Sequence, residues 1–221
     1  MSNAFAIRRT FWPLCVRTHR GARERAFSQC KPCLRRAQDF YATRIARATE
    51  RDAGFAACVG NTSHPAWPCC RDATTTLPDG AVAGELSDAS TEPWLMNTAG
   101  TLRRTLRFLH DDYPSRDGMY ITGMGWAERG EAQKSAIQEV RQDLGRQRYL
   151  QDHLAELLLA ISKDGIPLRG VYFRSATSAV EWELGKATRF GLQAVDYAHA
   201  ALPRTFLGSF FLLRDFFRKH G

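Results

Sequence analysis

Apolar positions recur in a regular order along the second half of the chain. Leu102, Leu106 and Leu109 fall at helical spacing after Asn97 or Thr98, either of which can cap a helix, and Asp111-Asp112-Tyr113-Pro114 stops it. Residues 118–122 then predict a strand, and 123–130 a loop at its C-terminal end. The clearest helix covers 141–163, where Leu150, Leu154, Leu157, Leu158 and Ile161 form one stripe and Asp164-Gly165 ends it. Residues 168–173 predict the next strand, followed by a loop carrying Glu181-Trp182-Glu183. Residues 190–195 read as a short return strand or an extended loop, and 204–220 as a final helix rich in phenylalanine. Strand, loop and helix repeated in this way mean βα units on a parallel sheet, with room for three units.

The first half is less patterned. Residues 39–46 predict a short strand. Residues 54–93 are rich in small, polar and turn-forming types, include Pro78-Asp79-Gly80, and predict a long loop. Residues 1–38 show no sustained periodicity and predict a disordered or weakly helical arm.

Charge sharpens that division. The arm holds nine Arg and Lys against Glu24, which accounts for the whole net charge of +8 of the 221-residue chain. Such an arm suits an acidic partner, an anionic lipid surface or an organellar address, or is simply a solvated segment. Nucleic acid is not the expected partner. No secretory signal is evident, because Arg17 interrupts the short apolar run at 11–16, so a cytoplasmic or organellar location is expected. No stretch approaches the roughly 20 apolar residues that span a bilayer. All six cysteines lie in the first 70 residues, and Cys30-Lys31-Pro32-Cys33 has no second half at metal spacing. Neither a metal nor a cofactor is therefore expected. A loop disulfide between Cys58 and Cys69 stays open as an alternative for an oxidising compartment.

Several segments, in order, resemble the C-terminal part of the β-glucosidases of glycoside hydrolase family 1. Asp39-Phe40-Tyr41 resembles the start of the family's D-F-Y/L-G-L-N strand, and residues 58–68 an insertion loop. Tyr120-Ile121-Thr122-Gly123-Met124-Gly125 resembles Y-I-T-E-N-G. Residues 170–175 resemble G-Y-F-V-W-S, and Glu181-Trp182 ends a match to W-S-L-L-D-N-F-E-W. Arg189-Phe190-Gly191-Leu192 and Val195-Asp196-Tyr197 match R-F-G-L-x-x-V-D-Y, and Arg204-Thr205 the start of R-T-P-K. The resemblance implies an α/β fold over 39–221: the last three units of a (β/α)8 TIM barrel, with parallel strands and helices on one face.

The departures from the family pattern bear on function. Retaining glycosidases use two carboxylates about 5–5.5 Å apart, one as nucleophile and one as acid/base. By the resemblance the nucleophile position is Gly123, and no T-F-N-E-P acid/base motif occurs in the chain. The family's stacking tryptophan is Arg174, and Arg44 falls in the first strand motif. The resemblance leaves Glu181 and Trp182 as sugar-contacting positions, with Phe190 beside them. Glu128, Glu131 and Glu183 are expected to be solvated loop charges. The expectation is a truncated, degenerate β-glucosidase-like protein without hydrolase activity and with no catalytic residue. A β-glucoside-type sugar is the expected ligand, if any, and the alternative is a weak carbohydrate-binding or interaction protein. Open sheet edges also predict self-association.

Overall fold

The computed structural model describes residues 36–42, 45–47, 60–64, 67, 72–74, 81–88, 94–134 and 136–221. Residues 1–35, Arg44 and all six cysteines lie outside the described residues, so the expectations for the arm, the CxxC and the loop disulfide do too.

Three strands form a parallel sheet in the order β1-β6-β7, where β1 is Arg36–Asp39, β6 is Met119–Met124 and β7 is Leu168–Phe173. Three hairpin-like pairs flank it. Strand β2 (Ile45–Arg47) pairs antiparallel with β3 (Asp72–Thr74), β4 (Glu85–Leu86) with β5 (Met96–Asn97), and β8 (Gln193–Val195) with β9 (Arg204–Phe206). The helices are α1 (Ala99–Asp112), α2 (Ile137–Arg141), α3 (Leu144–Ser162) and α4 (Gly208–His220). The βα units expected of the sequence are thus realised as a partial α/β barrel.

The core forms where the predicted stripes meet, except that Ile161 is exposed and Ala160 takes the inward position. Leu102 and Leu106 of α1 and Leu150, Leu154, Leu157 and Ala160 of α3 are buried with Met119, Ile121 and Met124 of β6. Arg103 forks onto Asp164 at 2.6 and 2.8 Å and fixes the end of α3 against α1. Gly165 then turns the chain at φ +67°, which a side chain would resist.

The boundaries differ from expectation in several places. Strand β1 ends at Asp39, so 40–42 of the expected 39–46 strand are irregular. The expected 141–163 helix is broken between Arg141 and Leu144, where the buried Asp143 turns to Arg146 and Ser209. Strand β1 begins at Arg36, inside the expected arm, because its partner β6 offers parallel register from Met119 to Gly123. Strand β6 runs on through Gly123 to Met124, since both neighbours continue to pair there. The expected long loop contains the short strands β3 and β4. The expected last helix starts only at Gly208: Leu207 is extended, and Arg204–Phe206 pairs with the return strand β8. The cap position of α1 is Thr98, but the bonds there run from Thr101 to the Thr98 carbonyl, while Asn97 donates to Asp152 at 2.6 Å.

One buried network orients the elements around the strand ends. Arg146 of α3 is 1% exposed and meets Asp143 at 2.8 Å, Glu131 at 3.2 Å, and the carbonyls of Trp126 and Arg189 at 2.9 and 2.7 Å. Asp143 in turn accepts from the Ser209 amide at 2.9 Å and from its hydroxyl, which ties down the start of α4. Glu128 accepts from the Gly145 and Arg146 amides at 3.2 and 2.9 Å, so a distant carboxylate caps α3. Glu131 is 2% exposed. Neither acid is a solvated loop charge as expected: each answers a buried donor that sequence spacing does not display. Glu183 lies in the 3-10 turn Trp182–Leu184.

Candidate functional site

The C-terminal ends of β1, β6 and β7 bring together Asp39, Tyr41, Thr122, Gly123, Arg174 and Glu181. Strand register sets the first contacts. Asp39 pairs with Gly123, and the Phe40 amide donates to the Gly123 carbonyl at 2.8 Å. Thr122 donates its hydroxyl to Asp39 Oδ1 at 2.5 Å. The Arg174 amide donates to the Met124 carbonyl at 2.9 Å, which continues the β6–β7 pairing beyond the strand. The strands approach so closely there that a Cβ on Gly125 would lie 2.4 Å from the Arg174 carbonyl oxygen.

Tyr41 is held from several sides. The Tyr149 hydroxyl donates to its carbonyl at 2.7 Å. Its ring sits edge-on to Trp94 and Phe190, with centroids 6.2 and 6.3 Å away. The Arg174 cation lies near its hydroxyl. Burial raises the Tyr41 pKa; Asp39 and Glu181 push the same way and Arg174 opposes them, so the phenol stays protonated at neutral pH.

Arg174 makes the second link. Its guanidinium donates to the Glu181 carboxylate and lies 5.3 Å from the Phe190 ring centroid. Glu181 is 4% exposed. Burial raises its pKa and the adjacent Arg174 lowers it again. A carboxylate spent on a guanidinium is a weak hydroxyl acceptor and a weak base, because its lone pairs and charge are already answered.

The expected site residues therefore divide. Glu181 and Phe190 meet around Arg174, with Phe190 buried. Trp182, expected as an aromatic plate beside Glu181, is 86% exposed and takes a left-handed φ of +43°. Gly123 lies at the centre of the group and carries no side chain. Tyr41, which the sequence offers as part of the Asp39-Phe40-Tyr41 motif and not as a site residue, joins the group. Among the described residues no group of three or more His, Cys, Asp or Glu could hold a metal. Nor is any described helix long and apolar enough to cross a membrane.

The model of the glycosyl hydrolase family 1 matches residues 64–221, most of the chain. The chain belongs to that family. It is 36% identical over 124 residues to Beta-glucosidase 1B of Phanerodontia chrysosporium, covering 56% of this chain and 22% of that protein. It is 33% identical over 101 residues to Probable inactive beta-glucosidase 25 of Arabidopsis thaliana, covering 46% of this chain and 19% of that one. Among solved structures, it resembles beta-glucosidase 2 of Trichoderma reesei with a TM-score of 0.61 at 26% identity, over 67% of this chain and 31% of that chain. A β-glucosidase of Humicola insolens, solved in complex with glucose, matches at TM-score 0.61 and 28% identity, over 67% of this chain and 30% of that one. The family 1 chain thus spans between about a fifth and a third of the length of these relatives.

Proposed function

We propose that this family 1 chain is a β-glucosidase-like protein that does not hydrolyse glycosides. The observation that carries the reading is Gly123. It lies within the segment that matches the family and at the end of β6, where the family resemblance calls for the nucleophilic carboxylate. The carboxylates near it are already engaged: Glu181 by Arg174 and Asp39 by Thr122. Double displacement needs a carboxylate that can attack the anomeric carbon and a second group that protonates the leaving oxygen. Arg174 also sets a cation near a reaction whose transition state carries positive charge, and that disfavours it. Removing a nucleophile alone costs several orders of magnitude in rate.

The test is hydrolysis of an aryl β-glucoside by the purified chain, beside Glu181→Gln. The reading predicts turnover indistinguishable from buffer for both. Turnover by the chain that Glu181→Gln abolishes would overturn it. The same reading makes the chain a degenerate relative. Weak sugar binding through Glu181, Trp182 and Phe190 is the lesser reading, since the exposure of Trp182 and the Arg174 pairing of Glu181 weigh against it.

A further inference from the structure

We propose that Tyr41 and Arg174 form a plug, made from this chain's own side chains, that fills the floor of the cleft and obliges residue 123 to be glycine. The inference deepens the preceding reading and rests on it for one point only, that the cleft performs no hydrolysis.

The geometry is direct. A Cβ placed on Gly123 would lie 2.7 Å from the Tyr41 hydroxyl oxygen, 3.1 Å from Tyr41 Cε2 and 3.1 Å from Asp39 Oδ1. The first of these is closer than carbon and oxygen approach without a bond, so any side chain at 123 must displace Tyr41. Tyr41 is not free to swing. Its carbonyl is bonded to Tyr149 and its ring is confined by Trp94 and by Phe190, the ring over which Arg174 also lies. Arg174 is the latch: Glu181 holds its guanidinium and Phe190 lies across it. The cleft is thus a glucosidase site refilled by a phenol and a guanidinium, rather than one merely emptied of its carboxylate. Glycine at 123 and tyrosine at 41 form a coupled pair. Restoring a carboxylate at 123 meets a steric obstacle before it meets a chemical one.

Two measurements test the plug. The first compares melting midpoints of the full chain, Gly123→Ala, Tyr41→Phe and the double variant. Alanine in a strand is otherwise better than glycine, because glycine loses more backbone freedom on folding. Gly123→Ala is expected to lower the midpoint by about 5 °C in the parent chain. It should lose at least half of that effect beside Tyr41→Phe, where the hydroxyl contact is gone. An equal loss in both backgrounds, or no loss in the parent, overturns the plug. The second measurement needs no change at 123. Arg174→Ala leaves a guanidinium-shaped gap, so millimolar methylguanidinium should raise its midpoint by about 1–2 °C while leaving the parent chain unchanged. No rise relative to potassium chloride at equal ionic strength, or the same rise in the parent, overturns it. Neither measurement reads hydrolysis, so the plug and the inactivity can fail separately.

Discussion

His153 shows how one residue couples the core to pH. It is fully buried on α3, with Nδ1 2.8 Å from the Tyr149 carbonyl and its ring packed on Tyr149 and tilted against Phe40. Burial lowers its pKa from 6.5 to about 4, against smaller opposing effects of the Tyr149 carbonyl and Asp152. The folded chain therefore binds this proton less readily than the unfolded chain. The stability it contributes is complete above about pH 6.5 and is lost as pH falls toward 4. The size is on the order of 3 kcal/mol. Glu131 and Glu181 act in the opposite sense, since burial raises both and favours their protonated forms in the folded state. Urea midpoints near neutral pH and near pH 4.5 should therefore fall less in His153→Phe than in the parent chain. An equal fall in both would show that the imidazole is not the group responsible. Gly123, Tyr41 and Arg174 work at the same scale but through shape: one side chain is absent where two others meet.

At the level of elements, α3 carries most of the organisation. Its N-terminus is capped from outside by Glu128, through the Gly145 and Arg146 amides. Glu128→Ala should cost about 0.5–2 kcal/mol in urea unfolding, as losing a helix cap does, and Glu128→Gln less. A cost within error for both would remove Glu128 from the account. The helix itself was legible in the sequence, because Leu150, Leu154 and Leu157 repeat at 3.6-residue spacing and all face the core. Its cap was not, because Glu128 reaches it from the loop after β6. The same contrast holds elsewhere. Glycine at 123 reads as the end of a strand, yet β6 continues because strands on both sides pair with it. Phe206 and Phe210 read as parts of one helix, yet Phe206 ends β9 and the extended Leu207 precedes the helix, and their rings still meet with centroids 4.1 Å apart. Local periodicity finds the elements. It does not find the partners that decide where they stop, nor the role of Tyr41, whose neighbours Trp94, Gly123, Tyr149 and Phe190 come from separate elements far along the chain.

At the scale of the whole molecule, the parallel sheet is the organising feature. Among the described residues β6 is paired on both sides, while β1 and β7 are each paired on one. Unpaired strand edges template further pairing. The chain should therefore elute from gel filtration ahead of a monomer, and more so at higher concentration. A concentration-independent monomer peak would contradict this. The chain belongs to glycosyl hydrolase family 1, and the reading proposed for it is a cleft that lacks a nucleophile at Gly123 and is filled there by Tyr41 and Arg174. The most direct test of that account is to look for the covalent intermediate on which a retaining glycosidase depends. The chain is incubated with an activated 2-fluoroglucoside, which traps a glycosylated carboxylate, and its intact mass is measured. The account predicts no mass increase. A stoichiometric gain of one fluoroglucosyl unit, mapped to Glu181, Asp39 or another carboxylate, would contradict it.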